Sequence, residues 1–222
     1  MAKHDQSAQP FVTGHDLIVI GTSAGGVQAL LELLDDLPAN LPAAICIVIH
    51  IPAESPSLLP RILQRRSALP VRHAVDGERI VPGHVYIAPP DHHLLVDPGR
   101  LRLRHGPREN RCRPAVDPLF RSAALAYGPR LIGVVLTGAL NDGTAGLAII
   151  KRLGGVTIVQ DPADALFPGM PASAQRHVAV DYSLPLADIA AALTRVAREP
   201  NGPSTVEPVA DVAIEERWIR GE

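Results

Sequence analysis

A short apolar run, Leu17–Ile20, ends in the turn Gly21-Thr22-Ser23-Ala24-Gly25-Gly26, and a second run, Ala43–Ile49, follows a helix-length segment later. Within that segment Val27, Leu30, Leu31 and Leu34 recur at three- and four-residue spacing, and Pro38 closes the pattern. This is the period of a helix with one buried face. Strand, glycine turn, helix, strand is the opening of a βαβ unit, and it points to a parallel sheet with helices packed on it. The composition supports that choice. The chain is 46% apolar but only 3% aromatic, so its core is built from Val, Ile, Leu and Ala, as a sheet buried on both faces requires.

Similar alternation continues downstream. Pro52–Arg66 reads as a helix with a basic last turn, and Val71–Ala74 and Val85–Ala88 read as strands. Leu94–Val96 and Leu101–Leu103 flank Asp97-Pro98-Gly99-Arg100, a hairpin signal. A helix over Leu119–Tyr127, a strand over Leu131–Leu136, a helix from Thr144 to Leu153 and a strand over Val156–Val159 come next. Asp161–Pro171 reads as a loop and Leu186–Ala197 as the last helix of the domain. The expected fold is a three-layer, Rossmann-like α/β domain: a mostly parallel sheet flanked by helices, with a small antiparallel excursion. Residues 1–15 are expected to form a flexible leader, 16–199 one catalytic domain, and 200–222 a linker with a short tail helix over Val209–Ile219.

Several function classes recede. A formal net charge of −2 gives no electrostatic reason for a nucleic-acid partner. No run approaches eighteen apolar residues and the first thirteen residues hold no apolar signal core, so no membrane insertion and a cytoplasmic location are expected. Two cysteines, Cys46 and Cys112, are too few for a disulfide framework or a thiolate metal site. Cys46 lies inside an apolar run and reads as a buried thiol. No metal and no cofactor are implied.

In open α/β sheets the ligand site lies beyond the carboxyl ends of the strands. Ser23, His50 and Asp142 stand there, after Leu17–Ile20, Ala43–Ile49 and Leu131–Leu136. Gly21-x-Ser23-x-Gly25 also matches a nucleophile elbow, whose small neighbours permit a sharp turn from strand to helix. Ser23 would then sit beside the first amides of a helix, which favour a developing oxyanion. His50 would take its proton and Asp142 would orient the imidazole. A phosphate-cradling turn is the competing reading, but no Lys-Ser/Thr ending follows, and glycines at 21, 25 and 26 lack the G-x-G-x-x-G order. The order Ser, His, Asp also departs from the α/β-hydrolase order of Ser, acid, His.

The chain closely resembles the catalytic domain of the chemotaxis protein-glutamate methylesterases, the CheB family, over about residues 17–197. The resemblance is carried by Ile20-Gly21-Thr22-Ser23-Ala24-Gly25-Gly26, Ile49-His50-Ile51-Pro52, Asp76-Gly77-Glu78 and Pro82–Pro89. Asn110–Phe120, Leu136-Thr137-Gly138, Asn141-Asp142-Gly143 and Phe167–Pro171 complete it. It implies hydrolysis of γ-glutamyl methyl esters on the cytoplasmic helices of chemoreceptors, or of a related sensory protein, with release of methanol; some members also deamidate glutamines. It places the family serine, histidine and aspartate at Ser23, His50 and Asp142. The basic segment around Arg111 and Arg113 matches a family segment at the site rim and would orient the protein on an acidic receptor surface.

Three departures from the family pattern bear on this. About sixteen residues precede the first strand, too few for the receiver domain of many members, so a stand-alone form is expected, with regulation absent or supplied by a separate partner. Ala139-Leu140 replaces a Met-Gly pair before the Asn-Asp-Gly turn, and Leu140 would alter the pocket if it points at the serine. Ala24 stands where a threonine is usual, which keeps an amide but removes a hydroxyl, and Cys112 replaces a common histidine. A retuned hydrolase and a catalytically silent scaffold in a sensory complex are the alternatives these departures leave.

Overall fold

The computed structural model describes residues 14–51 and 57–200. The leader up to residue 13, the start of the Pro52–Arg66 helix and the tail helix over Val209–Ile219 lie outside the described residues. Among the described residues nine strands and six α-helices run in the order β1 Leu17–Thr22, α1 Gly26–Asp35, β2 Ala44–Ile49, α2 Leu59–Leu63, β3 Val71–His73, β4 Val85–Ile87, β5 His93–Asp97 and β6 Arg100–Arg104. Then come α3 Val116–Tyr127, β7 Leu131–Val135, α4 Thr144–Arg152, β8 Val156–Gln160, α5 Gly169–His177, β9 Tyr182–Leu184 and α6 Leu186–Val196.

Seven strands form one sheet in the order β3-β4-β2-β1-β7-β8-β9, with every pair parallel. β5 and β6 form a separate antiparallel hairpin. The fold is thus α/β with a parallel central sheet between helices. Side chains alternate along each strand. Leu17 and Val19 of β1 pack with α3, α4 and the hairpin, through Leu119, Phe120, Leu147 and Leu94. Ile18 and Ile20 pack with α1 and α6 on the other face, through Leu30, Leu34, Ile189 and Leu193. A strand covered on both faces has no use for polar residues, which is why these strands read as unbroken apolar runs.

Four elements differ from the sequence reading. Within the described residues the Pro52–Arg66 segment is helical only from Leu59 to Leu63. α3 begins at Val116 rather than Leu119, since Pro118 falls in its first turn, where no amide hydrogen is needed. α5 starts at Gly169, inside the expected loop, because Pro168 and Pro171 flank its opening without interrupting it. β9 is a three-residue, half-buried edge strand with no apolar run to announce it.

The sheet order reverses between β1 and β7: β1 is followed in sequence by β2 on one side, while β7 lies on the other. Such a switch point opens a crevice at the carboxyl edge.

Candidate active site

Ser23, His50 and Asp142 follow three adjacent strands, β1, β2 and β7, at that crevice. Their side chains form a hydrogen-bonded row. His50 Nδ1 lies 3.0 Å from Ser23 Oγ, and His50 Nε2 lies 2.7 Å from Asp142 Oδ2. A carboxylate only accepts, so Nε2 carries the hydrogen and Nδ1 turns its lone pair to the Ser23 hydroxyl. The ring is reversed relative to the chymotrypsin template, where Nε2 faces the serine. The imidazole side chain is 17% exposed, so one end of the row opens to solvent while Asp142, at 2%, does not.

The Ser23 turn is held from the neighbouring loop by Thr137. The Thr137 carbonyl accepts from Ser23 N at 3.1 Å and from Thr22 Oγ1 at 2.7 Å. Thr137 Oγ1 donates to the Ala24 carbonyl at 3.0 Å and accepts from Phe167 N at 2.9 Å. The Ser23 amide is thus committed to Thr137 and not free to meet an oxyanion. A Cβ on Gly138 would stand 2.2 Å from Met170 Sδ and 3.0 Å from Ser23 Cβ, so the loop reaches the serine only because that side chain is missing.

Asp142 is held by a different helix from the one it precedes. Its Oδ2 accepts from Val116 N at 2.7 Å and its Oδ1 from Asp117 N at 3.1 Å, the first amides of α3. In return Asp117 Oδ1 accepts from Gly146 N at 2.7 Å, in the first turn of α4. Neither helix has a local side-chain cap, and each takes one from the other's aspartate. The exchange depends on close approach. A Cβ on Gly21 would lie 2.2 Å from Val116 Cγ1, and one on Gly143 would lie 2.8 Å from the same atom.

Burial alone would raise the Asp142 carboxyl, but the hydrogen bond from His50 and the Val116 and Asp117 amides hold it below its ordinary value. Asp117 goes the other way: burial, then the Asp142 charge, push it up to about 6. Neither Asp117 nor its partner Asn110 stands out in the sequence as a site residue. Both lie in the Asn110–Phe120 run that carries the resemblance, which is the only signal that could have raised them.

The departures can now be placed. Leu140 has a left-handed backbone, with φ 65°, and is 70% exposed, so it does not wall in the serine. Cys112 is half-buried, and burial together with the Asp142 charge raises its thiol, which keeps it protonated. Arg113 is tied down by Asp91 at 2.6 and 2.9 Å and by the Gly106 carbonyl at 2.6 Å, whereas Arg111 stays exposed on the rim.

The CheB methylesterase family model matches residues 18–193. The chain belongs to the CheB methylesterase family. It is 43% identical, over 83% of its length, to protein-glutamate methylesterase/protein-glutamine glutaminase 1 of Xanthomonas euvesicatoria, of which it spans 52%. A Leptospira interrogans relative, given the same pair of activities in provisional form, is 42% identical over 82% of this chain and 95% of its own. The crystal structure of the Thermotoga maritima CheB methylesterase catalytic domain superposes with a TM-score of 0.78 at 38% identity, covering 83% of this chain and 99% of that one. The chain therefore spans about half the length of the Xanthomonas relative and nearly all of the Leptospira one. Kinship with CheB methylesterases supports hydrolase chemistry in general. Among the described residues no helix is long and apolar enough to cross a membrane.

Proposed function

We propose that this CheB methylesterase domain hydrolyses methyl esters of glutamate residues on chemoreceptor-like proteins, with Ser23 as nucleophile, His50 as general base and acid, and Asp142 as the orienting carboxylate. The observation that carries the reading is the unbroken row from Ser23 Oγ through His50 to Asp142, at 3.0 and 2.7 Å. His50 Nδ1 takes the hydroxyl proton as Ser23 Oγ bonds to the ester carbonyl carbon. The Ala24 amide faces the oxyanion that results. Collapse breaks the bond to the methoxy oxygen, which leaves as methanol with the proton held by His50. Water then gives a proton to His50 and its oxygen to the acyl carbon, freeing glutamate and restoring Ser23. The relatives' second printed activity, glutaminase, is the same attack with ammonia leaving.

Methyl-labelled receptor incubated with the protein is expected to release labelled methanol, and S23A is expected to release none. Equal release by S23A, or no release by wild-type protein from any methylated receptor of the same cell, would count against the assignment.

A further inference from the structure

Behind the His50–Asp142 pair lies a second buried carboxylate that the hydrolytic scheme leaves without a task. Asp117 Oδ2 accepts from Asn110 Nδ2 at 2.9 Å, and the same nitrogen donates its other hydrogen to Asp142 Oδ1 at 2.7 Å. An amide oxygen set between two carboxylates would meet lone pairs on both sides, so the amide stands only with its NH2 group inward. The backbone delivers it there. Glu109 and Cys112 exchange amide-to-carbonyl bonds at 3.1 and 2.8 Å around Asn110 and Arg111, whose φ values are 49° and 66°. That is a type I′ turn, whose left-handed corners favour asparagine. Arg121 of α3 pins the turn by donating to both carboxylate oxygens of Glu109, at 2.8 and 2.9 Å.

We propose that Asn110 and Asp117 are positioning residues for Asp142, an inference that rests on the hydrolytic reading above. Asp117 fixes the Asn110 amide, Asn110 fixes the plane of the Asp142 carboxylate, and that plane fixes the imidazole facing Ser23. Without Asn110 the Oδ1 atom keeps only the Asp117 amide, at 3.1 Å the longest of the four bonds to this carboxylate. In metal sites the outer partners that orient a ligand typically change affinity or activity about 10- to 100-fold when removed, and an effect of that order is expected here.

Asn110 is exposed, so N110A removes no core packing. Its kcat is expected to fall about tenfold or more with KM within about twofold, the pattern of a lost transition-state interaction rather than lost binding. The downfield proton resonance of the His50–Asp142 bond should shift or broaden. D117N leaves one oxygen for two donors, Asn110 Nδ2 and Gly146 N, so one of them faces an NH2 group, and the anchor of the Asn110 amide loses its charge either way. Its kcat should fall at least as far, and N110A D117N should be no worse than D117N alone, because the two act through one contact. Additive losses, unchanged kcat in both single variants, or a loss confined to KM would overturn the proposal. Failure of wild-type Ser23 to react with a serine-directed phosphonate would instead remove the hydrolytic reading beneath it, so the two failures are separable.

Discussion

The buried carboxylates at the site respond to pH with opposite signs. Asp117 has an ordinary value of 3.8 and is pushed up to about 6 in the fold. Between about pH 4 and pH 6 the folded chain therefore holds a proton that the unfolded chain has released, and the stability supplied at this position falls as the pH rises. Asp142 is held below its ordinary value, so its contribution is present above that value and is lost only as the pH falls through the lowered one. The asparagine of D117N does not titrate. The melting temperature of D117N relative to wild type is thus expected to rise from about pH 4.5 to about pH 7. A difference that stays flat over that range would contradict the role of burial at Asp117.

At the scale of elements, the first turns of α3 and α4 take their acceptors from Asp142 and Asp117, which makes Asp142 a structural cap whatever its part in the chemistry. D142A would leave the Val116 and Asp117 amides without their acceptor, at a cost of about 2 kcal/mol. S23A removes a hydroxyl whose partner is an imidazole that reaches solvent, and its stability should change by less than about 0.5 kcal/mol. Urea unfolding of the two variants checks this, and equal destabilisation would refute the capping account. The same geometry explains what was legible in the sequence. Strand ends predict where Ser23, His50 and Asp142 stand, because apolar runs mark β1, β2 and β7 and topology brings those ends together. The apolar pattern starts α3 at Leu119, three residues late, and so does not reveal the Val116 and Asp117 amides. No local pattern links Asp142 to α3 or Asn110 to Asp117, since these bonds join residues 25 and 7 positions apart through tertiary approach. α5 escaped notice for a related reason: Phe167-Pro168-Gly169-Met170-Pro171 carries turn residues, and only the helix register shows that both prolines are harmless.

Across the whole molecule, the carboxyl edge of the sheet has two unlike shoulders. Leu140, Leu166 and Phe167 are exposed on the side of the Ser23 turn, where a Cβ on Gly25 would stand 3.2 Å from Leu166 Cδ2. Arg108 and Arg111 are exposed in the segment that carries Asn110. With a net charge of −2 overall, this basic segment is a local feature rather than a property of the molecule. Raising salt from about 0.01 M to about 0.2 M, which shortens the screening length several-fold, is expected to raise KM for an acidic receptor substrate. Phosphonate labelling of Ser23 by an uncharged reagent should stay the same, and a parallel loss of both would place the salt effect in the fold. The reciprocal capping of α3 and α4 has one consequence for descent. A lineage abandoning catalysis could discard Ser23 at little cost to its architecture, but discarding Asp142 would leave the first turn of α3 without its cap. In any descendant of this fold the aspartate therefore testifies to the scaffold, and only the serine testifies to the chemistry.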